Sequence, residues 1–366
     1  MIHDLLYQIA ITQVPHIGHV HAKILVLQFG SAEAIFRSKL ADLERIEGIG
    51  TIRAKSIKDF KDFSGAEKEL LFIERFKIKP LFLTADDYPK RLLNCYDPPA
   101  LLFYKGTADL NHPRIVAVVG TRNNTEYGKQ MVEQLIRELA GLQVIIVSGL
   151  AFGIDAIAHK CALKNKLPTI GALGHGLDTI YPPENTSLAK EMVGNGGLIT
   201  EFPSKTKPEK HNFPSRNRLV AGMTDATIVV ETGIKGGSMI TAELADSYNR
   251  DVFVFPGRTT DNKSAGCNHL IKENKAILLT DAQQFIETMG WMEKKTKNVK
   301  AQKELFVELT ADEKRIFDIL SGKDVVAIDE LNFQSKLSSS SVAAAMLSLE
   351  LKNVIQALPG KMYRLV

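Results

Sequence analysis

Between residues 115 and 255 the chain repeats one hydrophobic rhythm: a short uncharged apolar run, a glycine-bearing loop, then apolar positions three or four residues apart. The runs Ile115–Val119, Val144–Val147, Thr169–Leu173, Thr227–Val230 and Val252–Phe255 carry no charge, which predicts strands covered on both faces. Glu126–Ala140, the stretch after Ile154, and Met239–Tyr248 have helical spacing. Parallel strands need crossovers, and helices supply them, so the alternation predicts an α/β domain with a parallel sheet between two helical layers. This is a Rossmann-like, doubly wound arrangement, in which ligands bind at the carboxyl ends of the strands.

The flanks follow other patterns. From Met1 to about Gly65 short helical stretches are punctuated by glycine, and Val14-Pro-His-Ile-Gly18 is echoed by Ile46-Glu-Gly-Ile-Gly50. These segments resemble the helix-hairpin-helix module, whose glycine turn offers backbone N–H groups to a phosphate. A compact helical domain with glycine turns fits equally, because Glu44 and Glu47 stand where a DNA contact would favour lysine. Residues 79–106, with Pro80, Pro89, Pro98 and Pro99, read as irregular but too apolar for a free linker. From Glu293 a polar, basic run reads as a tether. Beyond it, Leu309–Leu320, Ile328–Leu331 and Ser338–Leu351 predict three helices, then Val354–Leu358, a turn at Pro359-Gly360, and Tyr363–Leu365. That order is a winged-helix pattern, although its would-be recognition helix has almost no positive charge to meet phosphates. The expected division is a helical SAM-like or helix-hairpin-helix domain (1–65), a Rossmann-like domain (66–290), a linker (291–304) and a winged helix (305–366).

The loops at the predicted strand ends carry the candidate chemistry. They are Val119-Gly-Thr-Arg122, Ser148-Gly-Leu-Ala-Phe-Gly-Ile-Asp155, Gly174-His-Gly-Leu-Asp178, Tyr181-Pro-Pro-Glu-Asn185, Phe213-Pro-Ser-Arg-Asn-Arg218, Gly236-Gly-Ser-Met-Ile-Thr241, and Pro256-Gly257 with Gly266-Cys-Asn268. Glycine lets a backbone approach a ligand closely, and the N–H groups opening a helix at Ile154 would be free donors at the positive end of its dipole. Converging loops would bring Thr121, Ser238, Arg122 and Arg216 or Arg218 into one crevice, an anion site several phosphates long. No GxGxxG follows the first strand and no GxxxxGK[ST] occurs, so dinucleotide and P-loop chemistry are unsupported. No metal-ligand spacing and no nucleophile with a plausible base stand out, and His159 and His175 read as hydrogen-bonded structural residues.

Composition narrows this only slightly. The 366 residues are 45% hydrophobic and 24% charged with a net charge of +4, which permits an acidic partner without demanding one. Three scattered cysteines without a CxxC argue against a zinc site and suit a reducing compartment. The absence of a basic leader or membrane-length apolar run leads to the expectation of a cytoplasmic protein.

Taken together, VGTR, SGLAFGID, GxGxDxxYPxxN, FPxRNR, GGSMIT and GxNxLI resemble, in order and spacing, the DNA-processing protein A (DprA/Smf) family. Thr200-Glu201 stands where the family often has Ser-Glu, which keeps the hydroxyl. The resemblance implies a homodimer that binds and protects single-stranded DNA during natural transformation and loads RecA, with no catalysis, metal, cofactor or membrane. It implies that Arg122 contacts the DNA backbone, that Lys210 lies in the pocket, that Phe213 meets a base, and that Arg216, Asn217 and Arg218 line the same pocket. With the glycine-loop reading, the nominated DNA site is Gly120, Thr121, Arg122, Ser148, Gly149, Gly153, Lys210, Phe213, Arg216, Asn217, Arg218, Gly236, Gly237, Ser238 and Asn268. The dimer surface is expected near Ile271 and Ile277. An enzymatic alternative stays open: Gly236-Gly-Ser-Met-Ile-Thr-Ala-Glu243 partly resembles the GGxGTxxE loop of nucleotide phosphoribohydrolases, with Met239 and Ile240 departing from it.

Overall fold

A computed structural model of the chain describes residues 2–292, 309–358 and 360–366; the expected linker falls largely, and Pro359 wholly, outside them. The chain divides into two units, one ending at Leu278 and the other beginning at Leu279.

Six helices open the first unit: α1 (Ile2–Ile11), α2 (His19–Phe29), α3 (Ala32–Arg37), α4 (Leu40–Glu44), α5 (Gly50–Asp59) and α6 (Ser64–Phe76). Gly48 and Gly50, at φ 84° and 61°, make the turn from α4 into α5, a left-handed backbone that glycine enters without a Cβ penalty. Tyr7, Phe36, Phe60 and Phe63 pack as an aromatic cluster with centroids 5.5–6.1 Å apart.

The sheet region then runs β1 (Lys79–Phe82), α7 (Lys90–Leu93), β2 (Leu101–Gly106), β3 (Ile115–Gly120), α8 (Glu126–Leu139), β4 (Ile145–Ser148), α9 (Ile154–Lys164) and β5 (Thr169–Ala172). It continues with α10 (Thr186–Gly194), β6 (Gly196–Thr200), α11 (Asn212–Gly222), β7 (Ala226–Val230), α12 (Gly237–Ser247), β8 (Asp251–Val254), α13 (Ala265–Lys272) and β9 (Ile277–Leu278). These strands form one sheet in the order β1-β2-β6-β5-β4-β3-β7-β8-β9, parallel from β6 to β9. From β3 the chain winds outward through β4, β5 and β6, then returns to place β7 on the other side of β3. A crevice therefore opens outside the carboxyl ends of β3 and β7, the topological switch point.

Two stretches depart from the sequence reading. Residues 79–106 are not irregular: β1 and β2 pair antiparallel, Lys79 opposite Tyr104 and Phe82 opposite Leu101, and β2 extends the sheet from β6. Pro80 is tolerated because β1 is an edge strand. Strand β6 was invisible because it opens Gly196-Gly197, weak strand formers; a Cβ on Gly197 would lie 2.5 Å from the Tyr104 ring and one on Gly196 1.9 Å from the Thr169 carbonyl oxygen, so the first makes room for the tyrosine and the second for strand β5.

Three polar ties fasten the helices to the sheet region. Lys23 donates to the carbonyls of Leu93 and Cys95 at 2.8 and 2.9 Å, His19 meets Glu201 at 3.0 Å, and buried Glu69 accepts from the N–H and hydroxyl of Ser204.

In the second unit α14 (Ala282–Thr288) precedes α15 (Ala311–Ser321), β10 (Val326–Ala327), α16 (Ile328–Ser335), α17 (Ser339–Leu351), β11 (Ile355–Leu358) and β12 (Met362–Leu365). The strands form an antiparallel β10-β12-β11 sheet, and Ile316, Leu320, Leu331, Val342 and Leu349 build a core beneath it. This is the expected winged helix. A capping box joins Thr310 and Glu313, and Glu313 also accepts from Ser348 at 2.5 Å and from Lys352 at 2.8 Å.

Those hydrogen bonds, the Lys352 bond foremost, hold the Glu313 carboxyl at about 2, below its ordinary 4.5. A depressed carboxylate contributes stability above the unfolded value and loses it as pH falls towards the folded one. Hydrogen-exchange protection factors of α17 amides, corrected for the intrinsic rate at each pH, should therefore fall between pH 4.5 and about 2 in the natural chain and less steeply in Glu313→Gln. Equal acid sensitivity in both would remove Glu313 from the winged helix's stability.

Candidate functional site

At the switch point lies a cleft of about 650 Å³. Its walls are the loop after β3, with Gly120, Thr121 and Arg122, and the loop after β7, with Thr232, Gly233, Gly236, Gly237 and Ser238. Side chains from α11 close it.

Glu231, the residue after β7, holds the two walls together. Its carbonyl accepts the Thr121 N–H at 2.7 Å, its carboxylate accepts the Thr125 N–H at 2.8 Å, and the Thr125 hydroxyl donates to the same carboxylate. Thr125 in turn caps α8 through Gly128 N–H. Glu231 is buried at φ 57°, a backbone state costing a non-glycine residue roughly 1 kcal/mol or more and kept only where surroundings over-determine it. Sequence reasoning missed it, since a lone glutamate after a strand carries no signal.

Behind the cleft stands the 148–155 loop, two of whose backbone donors are engaged within the protein. Ile154 N–H bonds the Thr121 carbonyl at 3.1 Å and Ala151 N–H bonds Asp155 at 3.3 Å. The Ile154 N–H, expected as a free phosphate donor, is thus used to join loops. Gly153, at φ 74°, lets this happen, because a Cβ there would lie 2.3 Å from the Thr121 carbonyl oxygen. Ser148 is fully buried and donates to Val118 at 2.7 Å. Gly149 leaves space for Arg216: a Cβ would sit 1.6 Å from its Nη1 and 2.6 Å from Asp155 Oδ2. Hence Ser148, Gly149 and Gly153 support the cleft from behind and do not line it.

Arg216 is 6% exposed, and its buried Nε lacks a protein partner. Burial raises the Asp155 carboxyl against the opposing Arg216 charge, and burial lowers the Arg216 guanidinium. Below them His159 Nδ1 meets the Thr169 hydroxyl at 2.6 Å. That hydroxyl donates its proton to Ile146, so the histidine must donate through Nδ1 and keep Nε2 unprotonated. Burial, then the Arg216 charge, brings His159 down to about 3. His175 donates to the Gly176 carbonyl at 2.9 Å, and burial lowers it too.

The rim differs from the floor. Lys210 is exposed, and Phe213 lies 5.9 Å from Tyr181 and 5.8 Å from the Arg122 guanidinium, centroid to group. Tyr181, 44% exposed, was not nominated from sequence, although its YPxxN motif could have pointed there. Asn217 donates to the Gly237 carbonyl at 3.3 Å, tying α11 to the start of α12. The Phe213–Arg218 segment is helical, not a loop. Residues two apart on a helix project about 200° apart, so Arg218 leaves the cleft: it pairs with Glu201 and donates to Asp97 O at 3.0 Å. Asn268, within α13, clamps Gly257 through its N–H and carbonyl. Of the nominated residues, Gly120, Thr121, Arg122, Lys210, Phe213, Arg216, Asn217, Gly236, Gly237 and Ser238 are brought together, while Arg218 and Asn268 are not. No cluster of three or more His, Cys, Asp or Glu that could hold a metal occurs among the described residues.

Comparison with known proteins gives three family matches: DNA recombination-mediator protein A over residues 79–290, the DprA winged helix domain over 302–361, and the helix-hairpin-helix motif over 9–67. The chain is 42% identical over 242 residues to DNA processing protein DprA of Streptococcus pneumoniae, covering 62% of this chain and 85% of the relative. A crystal structure of the Streptococcus pneumoniae protein matches with TM-score 0.64 and 36% identity, covering 76% of this chain and 95% of that one. DNA processing protein A from Helicobacter pylori, solved in a study of its single-stranded DNA binding mode, matches with TM-score 0.53 and 37% identity, covering 58% and 95%.

The buried histidine makes a pH prediction. A group whose folded value is depressed stabilises above its unfolded value and loses that contribution as pH falls. The folded chain should therefore lose stability from pH 6.5 towards 3, at a limiting slope of about 1.4 kcal/mol per pH unit for one proton. Denaturant unfolding of His159→Gln should lack that slope; an identical pH dependence in both proteins would show that His159 protonates freely in the folded state.

Proposed function

The chain belongs to the DNA-processing protein A (DprA/Smf) family, and on that premise we propose that it binds single-stranded DNA in the switch-point cleft, protects it, and loads RecA onto it during natural transformation. The observation that supports this most is the rim, where Arg122 and the exposed Lys210 flank the Phe213–Tyr181 pair. Cations track phosphates without regard to sequence, and aromatic faces stack unpaired bases at roughly 1–3 kcal/mol each. A duplex hides those base faces in its own stack, so such a rim favours single strands. The relative from Helicobacter pylori, known for its single-stranded DNA binding mode, lends the same reading support.

The role we propose is binding without covalent catalysis. Ile240 presents an apolar side chain to the cleft wall, where the phosphoribohydrolase loop that this segment partly resembles has a threonine. Transfer to RecA and a cytoplasmic location are proposed from family membership; no helix among the described residues is long and apolar enough to cross a membrane. A homodimer is proposed through the β9 edge of the sheet. Ile277 and Leu278 are 40% and 38% exposed there, while Ile271 of α13 packs inward, so a second copy would cover β9.

Titration of a labelled single strand and the matching duplex at several salt concentrations should show preference for the single strand and a clear salt slope. Arg122→Ala should weaken single-strand binding by about 1–3 kcal/mol; unchanged affinity in the folded variant would remove Arg122 from the site. Ile277→Glu should convert the dimer to monomer in sedimentation experiments, and a dimer persisting in that variant would place the interface elsewhere.

A further inference from the structure

Helix α6 has two faces. Ala66, Glu69 and Ile73 are buried and fasten it to the protein. Lys68, Leu71, Phe72, Arg75 and Phe76 form a second stripe, at the i, i+3, i+4, i+7, i+8 spacing of one helix face; Phe72 is half-buried against the core, while Leu71 is 64% exposed and Phe76 41%. The Phe72 and Phe76 rings stand 4.6 Å apart, with the Arg75 guanidinium 5.4 Å and the Lys105 ammonium 5.9 Å from the Phe76 ring. A groove of about 450 Å³ runs between this stripe and Pro203–Lys205.

The exposed charges on the groove are cationic. Glu67 and Glu74 lie at roughly 140–160° from Phe72 around the helix, and Glu69 is buried and engaged by Ser204. The segment 203–211 then leads from the groove to the cleft. Lys205 is fixed at one end by its N–H to Asp178 at 2.9 Å, Lys207 follows, and Lys210 lines the cleft. Five residues span at most about 18 Å, and Glu209, the segment's lone carboxylate, faces His211 at 3.5 Å.

We propose that the α6 groove is a second single-stranded DNA contact, reached by a strand that leaves the cleft along Lys205–Lys210. An unpaired base stacks on the exposed Phe76 ring, which Phe72 backs, and Arg75 and Lys105 take the adjacent phosphates. The assignment rests on the cleft binding single strands. Charge complementarity and the basic path into the cleft select DNA over a protein segment as the occupant.

The test uses the full chain and its Arg75→Ala/Phe76→Ala/Lys105→Ala variant, titrated with oligothymidylates of about 6 and about 30 nucleotides, lengths chosen to fill one site or to span beyond it. The variant should match the natural chain on the short strand, bind the long one about tenfold more weakly, and lose about 1.4 from its long-strand salt slope, two cations at about 0.7 each. Arg122→Ala should weaken both strands. Equal affinity of variant and natural chain at both lengths overturns the groove as a DNA contact and leaves it to a protein partner; an equal loss at both lengths overturns its separateness from the cleft. If the natural chain binds neither strand, the cleft reading itself fails and this one with it.

Discussion

The cleft depends on a carboxylate that no ligand would touch. Glu231 sits where β7 ends, and its backbone and side chain hold Thr121 and Thr125 at once. Because β3 and β7 are neighbours in the sheet but far apart in sequence, their loops have no covalent reason to keep a fixed separation. The buried glutamate supplies that reason. Its strained backbone marks a position where global packing overrides local preference, and the carboxylate's bonds to the N-terminal cap of α8 give the strain its compensation. Gly128 leaves the room: a Cβ there would lie 2.4 Å from a Glu231 oxygen.

Charge is sorted by depth around this brace. Arg216, buried beside Asp155, belongs to a coupled pair whose disruption would leave an unpaired charge, at a cost of about 3–5 kcal/mol. Arg218, two residues on, is likewise held by Glu201 and Asp97. Burial works against the Glu201 charge, yet His19 and Arg218 outweigh it and keep that carboxyl below its usual range. These two arginines therefore organise the fold. Arg122 and Lys210, with the half-buried Phe213 and the exposed Tyr181 beside them, are the groups at the mouth of the cleft.

This sorting explains what the sequence could and could not reveal. Strands β3, β4, β5, β7 and β8 were legible because burial on both faces writes an uninterrupted apolar run. Strand β6 was hidden by Gly196-Gly197, which suit close approach to the Thr169 backbone and to Tyr104 and not strand propensity. The glycine loops showed where the cleft would be but not which glycine faces it: Gly149 and Gly120 give the same letter, yet one only makes room for Arg216 and the other lines the cleft. Nor could a motif read as a loop separate Arg216 from Arg218, since only the helical phase of α11 sends them to opposite sides.

The same accounting of cations bears on the winged helix, a fold often met in groove reading. Its α17 has no cation between Ser339 and Leu351, and Lys352, which follows, is engaged by Glu313. Arg364 of β12 bonds Gln356 across the hairpin. Phosphate binding is dominated by cations that release counterions, so a helix with serines and alanines at its start has little to hold it in a groove. The first unit concentrates basic side chains beside exposed aromatic rings, at the cleft rim and on α6. The single-strand binding proposed for this chain therefore rests on that pairing of charge with aromatic rings and not on the module conventionally linked to DNA.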